Sequence, residues 1–409
     1  MATDAFWQFV AAHQGDDTAS LLLAKNRWPD IDVPLAADII EGRRKMRTKL
    51  PSWHACDRII YLNRLCTEQC SSEDTALYKA ALAKKILGGK NGKIADLTGG
   101  LGVDSWAFST VGDVLYNERD PRLANAAEHN FPALGVNIRV SCASVEPGNV
   151  SNILGDFRPD LIFLDPARRN DLGRKVFRLA DCTPDVLALK DELLAESPNL
   201  FLKLSPMADI TQVARELGPS VREVAAVSAH GECKELLVWI DRNWTGGYTI
   251  TAHMPSGDLT FSPEEEQACR PALCDALPEP GDILLVPDKA VTKAGCFNLL
   301  AARYGLRKLG VSTHLYICPE DSPADGTRYR IQRIVPFSEA RAFKGIPADV
   351  SARNLPLTSE QLQKKLGIKK SGKPHIWGLR IDLSTGSWAN WLLETYPLQE
   401  PLTRAYSGL

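Results

Sequence analysis

A glycine-rich segment near residue 100 could hold a nucleotide-like ligand. It reads Ile94-Ala95-Asp96-Leu97-Thr98-Gly99-Gly100-Leu101-Gly102-Val103-Asp104, at the point where a short apolar run changes to a helical pattern. Glycines at such a turn let the backbone approach a ligand and direct free amide groups toward it. A purely structural turn explains many glycine-rich loops, so this segment alone is weak support for a binding site.

Two carboxylates distinguish this loop from a dinucleotide-binding loop. Asp96 precedes the glycines, where a dinucleotide-binding sequence usually has an apolar residue. Its carboxylate would suit a cationic group, such as the amino group of S-adenosylmethionine. Glu118 follows a second apolar run, 16 residues after Gly102, where a carboxylate can accept both hydroxyls of an adenosine ribose. The alternative interpretation of Glu118 is a solvated acid in a loop.

A third segment supplies a candidate catalytic group. The apolar run 161–164 is followed by Asp165-Pro166-Ala167-Arg168-Arg169, at the edge of the sheet where ligands bind in open α/β folds. An Asp-Pro there resembles the motif of amino-methyltransferases, in which the carboxylate and the proline-side carbonyl accept hydrogen bonds from an exocyclic amine. Methyl transfer depends mainly on positioning and needs no strong base. Asp-Pro is also a common turn at a strand end.

Other candidates have simpler alternatives. Lys203 ends a further apolar run on the same edge, where it could orient the acceptor or neutralise a phosphate; a lysine with a buried stem and a surface ammonium is equally compatible. Glu232 and Lys234 could border the site, or form an ordinary polar turn. Cys182, expected within a helix, could be a nucleophile, although most free cysteines are small buried side chains. The cysteine spacing predicts no metal site.

The apolar runs predict an α/β fold built on a parallel, doubly wound sheet. Residues 1–85 have helical spacing, and Ser71 with Asp74 predicts the start of a helix over 76–87. Short apolar runs then alternate with helical segments up to residue 217, which is typical of parallel strands. The segments 221–227 and 236–240 are joined by a turn so short that they must be antiparallel. Farther along, we expect a helix over 293–304.

Residues 70–241 resemble a class I S-adenosylmethionine-dependent methyltransferase. The loop sequence together with Leu164-Asp165-Pro166-Ala167-Arg168 is similar to a bacterial subgroup that has a C-terminal THUMP-like domain and itself resembles RNA methyltransferases of the trimethylguanosine-synthase type. Other segments that match this subgroup are Glu68-Gln69-Cys70-Ser71-Ser72-Glu73, Lys203-Leu204-Ser205-Pro206-Met207 and Glu232-Cys233-Lys234-Glu235.

The resemblance implies a Rossmann-like class I methyltransferase sheet, S-adenosylmethionine as cofactor and specific site residues. Those implied to hold the cofactor are Asp96, Gly99, Gly100, Gly102 and Glu118, and those implied to face the acceptor are Asp165 and Pro166. Thr98 is a further predicted cofactor-binding residue, and Lys203 a further catalytic candidate from its place at the strand end. Ala167 and Arg168 depart from the pattern, because base-amino methyltransferases usually have a proline and then an aromatic that stacks on the base. Arg168 and Arg169 are candidates to replace that aromatic.

The resemblance and the changes in pattern divide the chain into four predicted domains. They are an N-terminal helical domain (1–85), the methyltransferase domain (86–245), a ferredoxin-like α+β module (246–336) and a small basic THUMP-like module (337–409). THUMP modules usually precede the catalytic domain, whereas this one follows it.

Charge is distributed unevenly along the chain. The 409 residues contain 48 Lys and Arg and 50 Asp and Glu, a net charge of −2, which excludes only a uniformly basic protein. Residues 328–380 carry twelve basic and three acidic residues, a net charge of +9. Clustered lysines beside a helix suit phosphate contacts on RNA, although a solvated cationic face is the simpler interpretation. The predicted RNA-binding lysines are Lys364, Lys365, Lys369, Lys370 and Lys373.

Composition and pattern limit the class of protein. The apolar share of 44% and charged share of 24% are those of a globular protein. The ten scattered cysteines, the N-terminus without a signal-peptide pattern and the strand-length apolar runs predict a soluble cytoplasmic protein without membrane partners. The leading hypothesis is an RNA methyltransferase. Alternatives are a methyltransferase for a protein or small molecule, and a non-catalytic RNA-binding protein that retains the cofactor; an NAD-dependent oxidoreductase ranks last.

Overall fold

The computed structural model describes residues 3–168 and 179–398. Arg169 therefore lies outside the described residues. The chain folds into two compact units, one formed by Met1–Val224 with Leu236–Gly247, the other by Ala225–Glu235 with Tyr248–Leu409. Among the described helices, none combines the length and the apolarity that a membrane span requires.

Among the described residues of the first unit, six α-helices and a short 3-10 helix (Lys25–Arg27) precede the first strand. The six α-helices are α1 (Asp4–Ala12), α2 (Thr18–Leu23), α3 (Val33–Lys49), α4 (Pro51–His54), α5 (Arg64–Gln69) and α6 (Glu73–Ile86). Ser72 is the N-cap of α6, and its hydroxyl accepts a hydrogen bond from the Thr75 amide (3.4 Å). The predicted start at residue 76, with Ser71 as the cap, is wrong, because the side chain of Ser71 faces Asp104 instead.

The remaining helices and strands of the first unit alternate as predicted. In chain order they are β1 (Gly92–Asp96), α7 (Val103–Phe108), β2 (Gly112–Asn117), α8 (Pro121–Ala133), β3 (Arg139–Ser141), α9 (Val150–Leu154), β4 (Leu161–Leu164), β5 (Ala167–Arg168), β6 (Cys182–Thr183), α10 (Val186–Glu196), β7 (Asn199–Leu204), α11 (Ile210–Leu217), β8 (Val221–Ala229) and β9 (Glu232–Asp241). Cys182 lies in β6, so its predicted place in a helix is wrong; it is buried, as a small apolar side chain would be.

The main sheet of this unit has the strand order β3-β2-β1-β4-β7-β9, continued by the first half of β8. Strands β1, β2, β3, β4 and β7 are parallel, and β9 is antiparallel to β7. Parallel strands end at the same edge, so the residues that follow β1, β2, β4 and β7 meet there. The α/β sheet with an antiparallel hairpin at its end is thereby confirmed.

A buried ion pair connects α6 to α7. Lys79 on α6 is fully buried, and its Nζ lies 3.2 Å from Asp104 Oδ1 on α7. It also donates to Ser71 Oγ (3.1 Å), and this hydroxyl donates to Asp104 Oδ2 (2.9 Å). A charge in the interior requires an opposite charge with hydrogen bonds, since burial alone would cost several kcal/mol. The network therefore ties the N-terminal helices to the helix that follows the glycine-rich loop.

The second unit contains a seven-stranded sheet. Its elements are β10 (Thr249–Met254), β11 (Gly257–Phe261), α12 (Pro263–Ala268), β12 (Ile283–Pro287), α13 (Lys289–Ala294), α14 (Phe297–Tyr304), β13 (Arg307–Lys308), β14 (Tyr316–Cys318), β15 (Gly326–Pro336), β16 (Asp349–Arg353), α15 (Ser359–Leu366), β17 (His375–Asp382) and β18 (Trp388–Pro397). The sheet order is β13-β14-β12-β15-β18-β17-β16. Strands β10 and β11 extend the second half of β8.

Two features of this unit concern the sequence-based predictions: a break in a helix and a strand pairing across a predicted domain boundary. The single helix expected over 293–304 is two helices, because Gly295 adopts a left-handed φ of +81° and ends α13. The pairing of β15 with β18 places residues on both sides of 337 in one sheet. The four domain boundaries are untested by the division into two units and remain predictions.

Replacing Lys79 by Met should destabilise the protein strongly. The change leaves the Asp104 carboxylate buried without its cation, which typically costs about 3–5 kcal/mol. Chemical denaturation measures the loss. The double variant Lys79→Met with Asp104→Leu should recover much of it, since both charges are gone; equal stability of the single variant and the wild type would contradict this account of the pair.

Candidate active site

The glycine-rich loop joins β1 to α7, and its backbone geometry requires glycine. A Cβ atom added to Gly99 would lie 2.0 Å from Tyr116 Cε2. Gly100 and Gly102 have φ values of +54° and +90°, in the left-handed region that residues with a Cβ avoid. The Tyr116 hydroxyl donates to the Gly100 carbonyl (2.6 Å) and holds the loop from below. These glycines therefore shape a close backbone turn at the strand edge.

Asp96 supports this loop from inside. It is only 1% exposed; its Oδ1 accepts from the Thr98 amide (3.1 Å) and its Oδ2 from the Ser105 hydroxyl (2.5 Å). Burial raises the pKa of the Asp96 carboxyl to about 7, and the nearby Asp104 charge adds to the rise while the Ser105 bond opposes it. Asp96 thus braces the loop in this structure, and its direct contact with a ligand remains a prediction.

Glu118 lies half-buried at the end of β2, beside the loop. Its Oε2 accepts from the Gly100 amide (2.9 Å), and its Oε1 accepts from the Asp120 amide (2.8 Å). Each carboxylate oxygen has a second lone pair that can accept from a hydroxyl. The predicted ribose-binding carboxylate is therefore fixed in orientation and adjacent to the loop.

Asp165 and Lys203 meet at the ends of the neighbouring strands β4 and β7. The Asp165 carboxylate forms an ion pair with Lys203 Nζ through Oδ2. The Asp165 side chain is 37% exposed, so a ligand can reach it, whereas that of Lys203 is 14% exposed. The Asp165 amide also donates to Thr98 Oγ1 (2.6 Å). Thr98 therefore links the glycine-rich loop to the candidate catalytic carboxylate.

The residues after Asp165 form a small ladder in place of an aromatic wall. Pro166 is buried, and Ala167 pairs with Thr183 in the two-residue strands β5 and β6. Ala167, which follows the proline of the motif, therefore takes part in backbone pairing. Glu232 and Lys234, at the tip of the hairpin, pair with each other (2.6 Å) in the second unit.

The five predicted RNA-binding lysines lie on α15 and the loop 367–374 in the second unit. All five are exposed, and none forms an ion pair with another described residue. The capping box of Thr358 and Gln361 starts α15. The loop is held in place because the Ala348 amide donates to the Lys369 carbonyl (3.0 Å) and the Gly372 amide to Asp349 Oδ1 (3.2 Å).

The sequence did not reveal the interior residues that support the glycine-rich loop and its neighbouring acids. Ser105, Tyr116 and Lys79 each contact the loop or its flanking acids, but only the tertiary fold brings them there. Asp104 was within reach of sequence reasoning, because it ends the glycine-rich segment itself. Among the described residues, no group of three or more possible ligands forms a metal site.

Comparison with known proteins gives one extensive likeness. The chain is similar to a "putative methyltransferase from Porphyromonas gingivalis W83", with 29% identity, a TM-score of 0.79 and coverage of 97% of this chain and 98% of that one. The likeness extends over nearly the whole length of both chains. A sequence family described as a ferredoxin-like domain matches residues 284–323, which confirms the predicted ferredoxin-like fold in this region.

A second solved structure is similar over a smaller part. It is the T. thermophilus 16S rRNA N2 G1207 methyltransferase RsmC, with 15% identity, a TM-score of 0.33 and coverage of 43% of this chain and 44% of that one. Values this low carry no inference about substrate. No protein with a curated function matches the sequence. The predicted likeness to methyltransferases is confirmed, while its THUMP-like and trimethylguanosine-synthase aspects remain predictions.

Replacing Gly99 by Ala should disrupt the loop and with it any cofactor binding. The new Cβ would collide with the Tyr116 ring, which is itself packed in the core, so the loop must move. Titration calorimetry with S-adenosylmethionine should detect at least a tenfold loss of affinity. Gly15→Ala is the matched control, since nothing lies within 4 Å of a Cβ there; normal binding by the Gly99 variant would contradict the steric argument.

The stability of the protein should depend on pH through Asp96. Because the folded pKa is about 7 and the ordinary value 3.8, the fold holds a proton that the unfolded chain releases, and the stability from this group falls as pH rises from about 4 to 7. Asp96→Asn mimics the protonated form. As pH rises from about 4 to 7, the denaturation midpoint of the wild type should therefore fall relative to that of the variant. If the midpoints of the two proteins change in parallel with pH, the pKa of Asp96 is not raised in the folded state.

Proposed function

We propose that this protein is an S-adenosylmethionine-dependent methyltransferase that acts on RNA, with an exocyclic base nitrogen as acceptor. The observation that carries the proposal is the placement of Asp165 at the end of β4. There it is paired with Lys203 and bonded through Thr98 to the glycine-rich loop. A reachable carboxylate fixed beside a cofactor-type loop is the arrangement that amine methylation needs.

The residues of the loop fit the proposed cofactor. The position that a Cβ of Gly100 would take has nothing within 4 Å, which lets a ligand approach the backbone there. Glu118 offers two oriented oxygens for the ribose hydroxyls. When bound, S-adenosylmethionine supplies a methyl group on a positively charged sulfur. Asp96 would act on it indirectly, by holding Thr98 and Ser105 in place.

Asp165 would orient the acceptor amine. Lys203 holds Oδ2, so Oδ1 and the carbonyl near Pro166 are the natural acceptors for the two hydrogens of the amine. Those bonds direct the nitrogen lone pair at the methyl carbon. As the amine takes the methyl group that the bound cofactor would supply, its surplus proton would pass through Asp165 to water. Positioning supplies most of the rate enhancement.

The basic module supports RNA as the substrate. Five exposed lysines without ion-pair partners among the described residues lie on one helix end and the loop that follows it. Clustered cations that have no acidic partner among the described residues are suited to phosphates, whose neutralisation releases counterions. We propose that residues 337–409 act as the THUMP-like, RNA-holding part of the enzyme.

A second candidate is methyl transfer to a protein or small molecule. The observation that favours it is the pair of residues after Asp165-Pro166. They are Ala167, which pairs with Thr183 in a short strand, and Arg168, so neither provides an aromatic ring to stack on a base.

Substitutions at two residues, Glu118 and Asp165, separate cofactor binding from catalysis. Glu118→Ala should weaken S-adenosylmethionine binding at least tenfold, because the ribose loses both acceptors. Asp165→Ala should bind the cofactor normally and lose methyl transfer, while Asp165→Asn, which keeps an oxygen acceptor, should retain part of the rate. Calorimetry and transfer of a labelled methyl group give the two readings; a wild-type transfer rate for Asp165→Ala would remove Asp165 from the mechanism.

RNA binding should be strongly salt-dependent and depend on the lysine loop. Replacing Lys369 and Lys370 by Ala should lower affinity and reduce the salt slope by about 1.4 to 1.8, since each of the two phosphate contacts contributes about 0.7 in single strands and 0.9 in B-DNA. Fluorescence anisotropy measures both quantities. Lys90→Ala, at an exposed lysine of the first unit, is the control; a salt-independent affinity would favour the second candidate.

A further inference from the structure

An aromatic cluster lies where β17 begins, directly after the lysine loop. The rings of His375 and Trp377 are stacked, with centroids 4.1 Å apart and an interplanar angle of 15°. Tyr329 on β15 approaches both rings edge-on, at 5.5 Å from each. Neither the proposed catalytic site nor the phosphate contacts make use of these rings.

His375 is the more exposed of the two stacked rings. Trp377 is only 3% exposed, and its Nε1 donates to Thr395 Oγ1 (3.0 Å), which fixes it in the sheet. His375 is half-buried, and its Nε2 lies 2.9 Å from Ser351 Oγ. Burial lowers the pKa of His375 to about 4, so the imidazole is neutral near pH 7. It therefore presents a fixed, uncharged aromatic surface rather than a cation.

Positive charge surrounds this stack. The Arg353 guanidinium lies 5.9 Å from the Trp377 ring, and its side chain is exposed. Lys373 is exposed two residues before His375 and belongs to the lysine loop. The nearby acid, Asp349, already accepts a hydrogen bond from the Gly372 amide. Aromatic rings beside a cationic path are the combination that single-stranded nucleic acids bind, through base stacking and phosphate contacts.

We propose that the His375 ring, backed by Trp377 and flanked by Arg353, stacks on an unpaired base of the RNA whose phosphates contact the lysine loop. This inference rests on the proposed function, and it narrows the substrate to RNA with a single-stranded segment. In a duplex the bases are stacked on one another, and their faces are not available to the ring.

The test compares a labelled 12-nucleotide single-stranded RNA with a perfectly paired duplex of the same sequence, using full-length protein and fluorescence anisotropy. The wild type should prefer the single strand. His375→Leu should lower single-strand affinity five- to tenfold and leave duplex affinity unchanged, since stacking on one base typically provides an effect of at least this size. His375→Phe, which keeps a flat ring, should stay within about twofold of the wild type.

Two further variants guard against effects of misfolding. Arg353→Gln alters an exposed side chain and should lower single-strand affinity about threefold. Trp388→Leu removes a 59% exposed aromatic at the other end of the strand pair, where Trp388 faces Asp382; it should bind like the wild type. S-adenosylmethionine affinity should be unchanged in all of these variants.

Several results would overturn the inference. They are an unchanged single-strand affinity in His375→Leu, equal losses of affinity in the Leu and Phe variants, or a preference of the wild type for the duplex. An unchanged affinity in His375→Leu would mean that the His375 surface binds another partner, such as a protein. If the wild-type protein binds neither RNA, the RNA part of the proposed function fails as well. If it binds RNA regardless of residue 375, only the stacking site fails.

Discussion

The hydrogen bond between the Asp165 amide and the Thr98 hydroxyl is the contact on which the site depends. The two residues are 67 positions apart in the sequence and 2.6 Å apart across the bond. It forms because β1 and β4 are parallel neighbours, so their carboxyl ends lie side by side. Thr98 also donates its amide to Asp96. One residue thereby sets the position of the glycine-rich loop relative to the carboxylate proposed to hold the acceptor.

This arrangement gathers negative charge at one edge of the sheet. Asp96, Asp104 and Asp165 approach one another closely enough that the latter two raise the pKa of the first. The fold compensates each in a different way. Asp104 is matched by the buried Lys79, Asp165 by Lys203, and Asp96 by hydrogen bonds from Thr98 and Ser105. The N-terminal helices contribute Lys79, so their packing against α7 also serves the stability of the loop.

The sequence was sufficient for the sheet and for most residues at its edge. Apolar runs that alternate with helical segments fix strand type, and an acid or lysine directly after a buried run must lie at the strand end. That reasoning predicted the neighbourhood of Glu118, Asp165 and Lys203 correctly. It could not reveal that the Asp96 carboxylate is buried. A shift of one residue along a strand reverses the side-chain direction, so the burial of a carboxylate at a strand end depends on the exact geometry of strand and loop.

Residues that act through tertiary contacts were beyond prediction. Lys79 looks like any helical lysine, and only the packing of α6 on α7 buries it. His375 and Trp377 are visible in the sequence as an alternating pair. The partial exposure of His375, however, depends on the neighbouring strands. The helix break at Gly295 was predictable in principle, since glycine commonly ends helices; the apolar residues on both sides of it favoured one continuous helix.

The central claim is that this edge of the sheet transfers a methyl group to a base nitrogen of RNA. The most direct measurement incubates the protein with methyl-labelled S-adenosylmethionine and total RNA from cells that lack it, followed by nucleoside analysis. The account predicts label in one nucleoside methylated on an exocyclic nitrogen, and that nucleoside should be missing from the RNA of those cells. Label found only in protein or small molecules, or in no fraction, would contradict it.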